Sequence, residues 1–178
     1  MDLNLRAKTA LITGASMGIG AHIAETLAAE GVHLHLTARS AEKLEALKAK
    51  IAKTYDVSVT LHPLDLTSKG APDALAQAIC NVDILVNNAG MQFRGPLHEY
   101  KDEDWHTLMR TNLDSVYYVG KTVAQKMIPR GRGKIINICS VQSELGRPGI
   151  APYTASKGAL KMFTKGMAID WGQFGINV

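Results

Sequence analysis

Cysteine, aromatic side chains and long apolar runs are all scarce in this sequence. Its 178 residues hold two cysteines, Cys80 and Cys139, set far apart and without the spacing of a metal-binding pair. A disulfide-framework module is thereby excluded. No apolar run approaches the roughly 18 residues needed to span a membrane, and Met1-Asp2-Leu3-Asn4-Leu5-Arg6 lacks the apolar stretch of a signal peptide. No membrane partner is expected, and a reducing, cytoplasmic setting is. An excess of one charge is also missing, since 20 basic residues against 16 acidic ones leave a net charge of +4. The basic side chains are interleaved with acids, and the densest stretch, Arg130-Gly131-Arg132-Gly133-Lys134, is short and broken by glycine. With aromatics at 6% there is no phosphate-tracking stripe and no base-stacking surface, so nucleic acid is not an expected partner. What remains is a chain 46% hydrophobic, long enough to bury one sizeable core without a metal or disulfide staple.

Short apolar runs alternate with helix-length amphipathic stretches. Strands are expected at 9–12, 32–36, 57–61, 83–86 and 134–138, and helices through Ile23, Leu27 and Ala28, over 41–53 and over 72–79. Between the last two strands, Trp105, Leu108, Asn112, Val116, Val119, Val123 and Met127 step by three and four. That spacing predicts one long helix, closed by Pro129 and Gly131. Strands separated by helices imply crossovers and a parallel sheet covered on both faces. The expected fold class is α/β, a single doubly wound parallel sheet.

Thr13-Gly14-Ala15-Ser16-Met17-Gly18-Ile19-Gly20 falls where the first strand hands over to the first helix. Glycines there permit a tight turn and a close approach of pyrophosphate to main-chain N–H groups, at a helix end that carries partial positive charge. The second strand ends in Thr37-Ala38-Arg39-Ser40, with an arginine and no carboxylate. A free ribose 2′-hydroxyl usually meets an acid at this point and a 2′-phosphate needs a cation, so NADP is expected, with NAD the second choice.

Tyr153-Thr-Ala-Ser-Lys157 sets a phenol and an ammonium four apart, on one helix face. A nearby cation favours the phenolate of a group that otherwise ionises near pH 10. Five tyrosines and thirteen lysines give roughly 0.4 such pairs by chance, and a second copy exists at Tyr117-Tyr-Val-Gly-Lys121. Context separates them. Ser140 ends the fifth strand, where active groups of open parallel sheets gather, and Tyr153 opens the next helix. Their hydroxyls could both reach one carbonyl oxygen. Tyr117 lies mid-helix without such a companion and is read as structural.

From Lys8 to Val178 the chain resembles the short-chain dehydrogenase/reductase family. The resemblance is carried by the glycine turn, Asp65-Leu66, Asn87-Asn88-Ala89-Gly90, Asn112, Ser140, Tyr153 and Lys157. It implies a Rossmann-like NAD(P)-binding domain over 1–178 and hydride transfer between an alcohol and a carbonyl. Tyr153 would act as acid and base, and Lys157 would hold the nicotinamide ribose and lower the phenol's pKa. Ser140 would polarise the carbonyl, and Asn112 would hold a water that relays a proton from Lys157. Gly14, Ser16, Met17, Gly18, Ile19, Gly20, Arg39, Asp65, Leu66, Asn88, Ala89 and Gly90, with Tyr153 and Lys157, would contact the cofactor. Family members run on past a sixth strand that begins near Gly175, so the C-terminal strands and substrate lid are expected to be missing from this chain. Homo-oligomers, dimers or tetramers, are implied through the helices after the fourth and fifth strands.

Within the family, Asn87-Asn88-Ala89-Gly90-Met91-Gln92-Phe93-Arg94 and Ser140-Val141-Gln142-Ser143-Glu144-Leu145-Gly146-Arg147-Pro148 are most similar to gluconate 5-dehydrogenases. A small-molecule substrate of sugar-acid or polyol type follows, with Ser140, Tyr153, Arg94 and Arg147 as candidate contacts, either arginine being able to fork a carboxylate. A 3-oxoacyl-carrier-protein reductase is the alternative in the same class, and a catalytically incompetent nucleotide-binding fragment or NADP sensor the alternative outside it. His33 and His35 share one strand face but have no acid or cysteine partner, so no metal is expected. His22, His98 and His106 are expected at the surface, and Cys139 as a small strand hydrophobe.

Overall fold

Alternation along the central strands divides the apolar residues between two faces. The computed structural model describes residues 3–79 and 81–178, so Cys80 lies outside the described residues. Strand β1 (Thr9–Thr13) sends Ala10 and Ile12 to one face and Leu11 to the other. Five further strands are β2 (His33–Ala38), β3 (Val59–Pro63), β4 (Ile84–Asn87), β5 (Gly133–Asn137) and β6 (Ile176–Asn177). In β4, Ile84 and Val86 join the first face and Leu85 the second. All pairings are parallel, in the order β3-β2-β1-β4-β5-β6.

Helices α1 (Gly18–Ala29) and α2 (Ala41–Ala52) supply Ala24, Ala28, Leu44, Leu47 and Ile51 to the first core. The second core draws Leu75 from α3 (Ala71–Ala78), then Val119, Val123 and Met127 from α5 (Ser115–Met127), with α4 (Asp102–Met109) preceding it. Met167 comes from α6 (Ala151–Gly172). Leu11, Leu85 and Met127 have no exposure at all, and each such side chain contributes about 1.5–3 kcal/mol by burial. Cap chemistry sets the boundary of α2: Ser40 Oγ accepts from the N–H of Lys43 at 3.3 Å.

Three local differences from the sequence reading have physical causes. β3 lies two residues later than expected because the N–H of Ser58 donates to His33 Nδ1, and because an edge strand tolerates Pro63, which pairs with Ala38. Ser140 stands three residues beyond β5 and caps a short 3-10 turn over Val141–Ser143. The long helix is interrupted: a π turn over Arg110–Asp114 separates α4 from α5. At the sixth strand the expectation holds, since β6 pairs with β5 at Gly133 and Lys134.

The strand order reverses between β1 and β4, so the chain leaves the carboxyl ends of these neighbours in opposite directions. A crevice opens there.

Candidate active site

The crevice is built by a turn that admits almost no atoms beyond the backbone. Gly14 has φ +64°, and a Cβ on it would fall 2.8 Å from Ala89 Cα. A Cβ on Gly20 would meet Gly14 O at 2.4 Å and Asn88 Nδ2 at 2.5 Å. Asn88 braces the turn. Its Nδ2 donates to Thr13 O at 3.0 Å and Gly14 O at 3.1 Å, while Thr13 Oγ1 accepts from the N–H groups of Asn88 and Ala89, both at 3.0 Å. Helix α1 then begins at Gly18 with no side-chain cap and no acidic residue in its first turn. Its leading N–H groups and dipole are therefore left without a side-chain partner or an acid in their own turn, next to Ser16 and Met17 of the crevice.

A cleft of about 340 Å³ runs from this turn toward the ends of β2 and β3. Of the residues expected to contact a cofactor, Gly14, Ser16, Met17, Arg39, Asp65, Leu66, Ala89 and Gly90 line it. Gly18, Ile19, Gly20, Asn88, Tyr153 and Lys157 do not: the first three start α1, Asn88 braces the turn from beneath, and Tyr153 and Lys157 stand on α6. Sequence reasoning missed Thr37, Ser40, Lys43, Met91, Thr111 and Ser115, which also line the cleft. Lys43 is the consequential omission, because it sets a second cation beside Arg39. Its signal was the cap: a residue three after Ser40 lies in the first turn of α2 and faces back over the strand end. Thr37 Oγ1 is buried and has no hydrogen-bond partner among the described residues. Asp65 accepts from the side chain and N–H of Thr67 at 2.7 and 2.9 Å. These bonds, helped by the charge of Arg39, hold its carboxyl below the usual range.

Gly90 joins the cleft to a second group of side chains. A Cβ placed on it would lie 3.5 Å from Asn112 Oδ1 and 3.7 Å from Lys157 Nζ. Asn112, fully buried in the π turn, accepts from the N–H of Met91 at 2.8 Å and donates to Met91 O and Ser156 Oγ, both at 3.0 Å. Lys157 is 5% exposed, its Nζ donating to Ile138 O at 2.7 Å and lying 5.9 Å from the centre of the Tyr153 ring. Burial lowers its pKa, and the nearby Cys139 sulfur pulls the other way. Ser140 Oγ accepts from the N–H of Gln142 at 3.1 Å, and it donates to no acceptor among the described residues. Its proton is left for another oxygen. The competing pair has a similar distance, Lys121 Nζ lying 5.7 Å from the Tyr117 ring, but both residues are solvent-exposed.

The sequence pattern of the short chain dehydrogenases matches residues 8–178. The chain belongs to the short-chain dehydrogenase family. Gluconate 5-dehydrogenase of Gluconobacter oxydans (strain 621H) is 48% identical, over 98% of this chain and 70% of the relative. The 5-keto-D-gluconate 5-reductase of Escherichia coli (strain K12) is 38% identical over the same shares, 98% and 70%. A solved gluconate 5-dehydrogenase from Burkholderia cenocepacia J2315, in complex with NADP and tartrate, is similar with a TM-score of 0.87 at 44% identity. That match covers 97% of this chain and 69% of the other.

In this short-chain dehydrogenase, two loops flank the Asn112–Lys157 group. One runs from Met91 to α4 and carries Arg94; the other follows Ser140 and carries Arg147. Both arginines are exposed, and the loops are tied together by the N–H of Gly95 donating to Gly149 O at 3.1 Å. The histidines take a different part from the one weighed above. His35 Nδ1 and His62 Nε2 lie 2.9 Å apart with ring centres at 5.1 Å and planes at 21°, a head-to-head pair sharing one N–H across β2 and β3. His33 is engaged by Ser58, and among the described residues no group of three metal-ligating side chains forms. No helix among them is long and apolar enough to cross a membrane.

Proposed function

We propose that this short-chain dehydrogenase binds NADP and exchanges a hydride between the nicotinamide and a secondary alcohol of a sugar acid, interconverting gluconate-type and 5-ketogluconate-type substrates. The observation that carries the reading is the junction at Gly90, where the cleft of about 340 Å³ meets buried Lys157 and Asn112. The cleft and the helix start beside it fit the cofactor. The uncapped start of α1 suits a pyrophosphate, the orphaned Thr37 hydroxyl offers a polar contact, and Arg39 with Lys43 suits a 2′-phosphate. NAD, which wants an acid at the end of β2, is the second choice. Residues 1–178 act in this reading as one dinucleotide-binding domain.

When bound, the nicotinamide accepts or supplies the hydride. Tyr153 takes the alcohol proton in oxidation and returns it in reduction. The Lys157 ammonium, fixed by Ile138 O, favours the phenolate that this requires. Ser140 offers its proton to the substrate oxygen, since its Oγ accepts from Gln142 and donates to no acceptor among the described residues. Both amide hydrogens of Asn112 are committed, so any water it holds for relay to Lys157 is bound through oxygen. Arg94 and Arg147 lie on the loops beside this group, where the carboxylate of a sugar acid would be held. The gluconate 5-dehydrogenase relatives support that substrate class. The reading includes a cytoplasmic setting and homo-oligomers formed by the outer faces of α5 and α6, where Tyr118, Met162 and Ile169 are exposed.

The test is spectrophotometric. Gluconate with NADP should yield NADPH, and Tyr153→Phe should lower kcat by about a hundredfold or more while NADPH still binds. Undiminished turnover by the variant would remove Tyr153 from the mechanism, and reduction of a 3-oxoacyl thioester in place of 5-ketogluconate would overturn the substrate assignment.

A further inference from the structure

Two serines that the chemistry above does not use, Ser143 and Ser156, hold equivalent places in the hydrogen-bond pattern. Ser156 Oγ accepts from Asn112 Nδ2 at 3.0 Å and donates to Tyr153 O at 2.8 Å. Ser143 Oγ accepts from the N–H of Ser140 at 3.3 Å and donates to Lys157 O at 3.0 Å. One hydroxyl therefore joins Asn112 to Tyr153 and the other joins Ser140 to Lys157. The two accepting carbonyls belong to the reacting residues themselves, about one turn apart on α6.

A serine hydroxyl has a single proton, and both of these protons are given to protein carbonyls. Neither serine has a proton left to offer a substrate. Back-bonding from a helical serine to its own preceding turn is commonplace. What sets Ser156 apart is the bond it receives from a π turn in another crossover, together with its complete burial. Ser143 is similarly set apart by reaching from the 3-10 turn after β5 to the second turn of α6. The π turn belongs to the β4–β5 crossover, and the Ser140 turn and α6 to two separate stretches of the β5–β6 crossover; these hydroxyls register the three against each other.

We propose that Ser143 and Ser156 are positioning residues that set the distances among Asn112, Ser140, Tyr153 and Lys157. The proposal rests on the reaction assigned above. A misplacement of reacting groups on the ångström scale is costly, and one lost hydrogen bond in a frame of this kind should cost about tenfold in kcat.

The experiment compares Ser143→Ala, Ser156→Ala and Ser143→Thr with wild type in kcat, in the Kd of NADPH and in amide hydrogen exchange. Each alanine variant should lose about tenfold in kcat with the NADPH Kd unchanged, and Ser143→Thr, which restores the hydroxyl, should recover the rate. Exchange at the amide of Ser140 should quicken in Ser143→Ala, because that N–H has lost its acceptor. Wild-type kcat in both alanine variants would overturn the proposal, as would a Kd that rises in step with the fall in kcat or a threonine that fails to rescue. Should the wild type turn over no gluconate, it is the assigned reaction that fails. The exchange measurement then decides the frame by itself, an unchanged Ser140 amide refuting it and a faster one upholding it.

Discussion

Asn88→Ala is the substitution whose consequence can be worked out most fully from the structure. The side chain gives two hydrogen bonds to the main chain, to Thr13 O and Gly14 O, at the turn through which β1 passes into α1. Thr13 is 2% exposed, so at least one of the carbonyls left behind has little access to water. Two such bonds at about 1 kcal/mol each, with part of a desolvation penalty for a stranded acceptor, come to about 2–3 kcal/mol. For a chain of this size that corresponds to a fall in Tm of about 5–10 °C. NADPH affinity should weaken as well, but indirectly, through a loosened Gly14–Gly20 turn. Thermal melts with and without NADPH, paired with fluorescence titration, check both statements. A variant that melts with the wild type and yet loses NADPH would refute the reasoning, since it would make Asn88 a cofactor ligand and no brace.

Two further outcomes concern charge. Arg39→Ala and Lys43→Ala should each weaken NADPH by about tenfold while sparing NADH, as loss of a charge-assisted phosphate contact requires, and the loss should shrink as salt is raised; equal losses for both nucleotides would exclude a 2′-phosphate site. Burial holds the pKa of His35 and of His62 below the ordinary 6.5, His62 being lowered further by His35. The unfolded chain takes up protons from 6.5 downward, so the stabilisation is complete above that value and is lost as pH falls through the lower folded values. Melts between about pH 7.5 and 5 should therefore show a steeper acid decline for wild type than for His62→Asn, and identical slopes would count against the pair.

How far the site was legible can be seen at particular residues. Apolar spacing was enough for the alternation of strands and helices, because burial on both faces leaves runs such as Ala10-Leu11-Ile12, whose shortness and closing glycine turn mark a strand. Spacing could not choose between Tyr153–Lys157 and Tyr117–Lys121, and their cation-to-ring distances of 5.9 and 5.7 Å barely differ. The difference is burial, which depends on the segments that close over Lys157 from β5 and Gly90. The π turn left no distinctive mark in the sequence, since the two successive steps of four at Leu108, Asn112 and Val116 recur at Val119, Val123 and Met127 within regular α5. Lys43 was overlooked although the Ser40 cap marks it as a first-turn residue of α2, because only the folded chain shows that this turn lines the cleft. The bracing bonds of Asn88 to Thr13 O and Gly14 O were not legible, since an amide that pins a turn and one that touches a ligand look alike in sequence.

The bond between Gly95 and Gly149 has an evolutionary consequence. The two loops it joins carry the exposed arginines and contribute no residue to either hydrophobic core, Ile150 at one root being buried outside both. They can drift, lengthen or be exchanged as a matched pair while the sheet, the glycine turn and the Asn112–Lys157 group stay fixed. New substrate preferences can therefore arise in such a scaffold without re-inventing its hydride chemistry, and grafting both loops together should transfer preference where grafting either one would not.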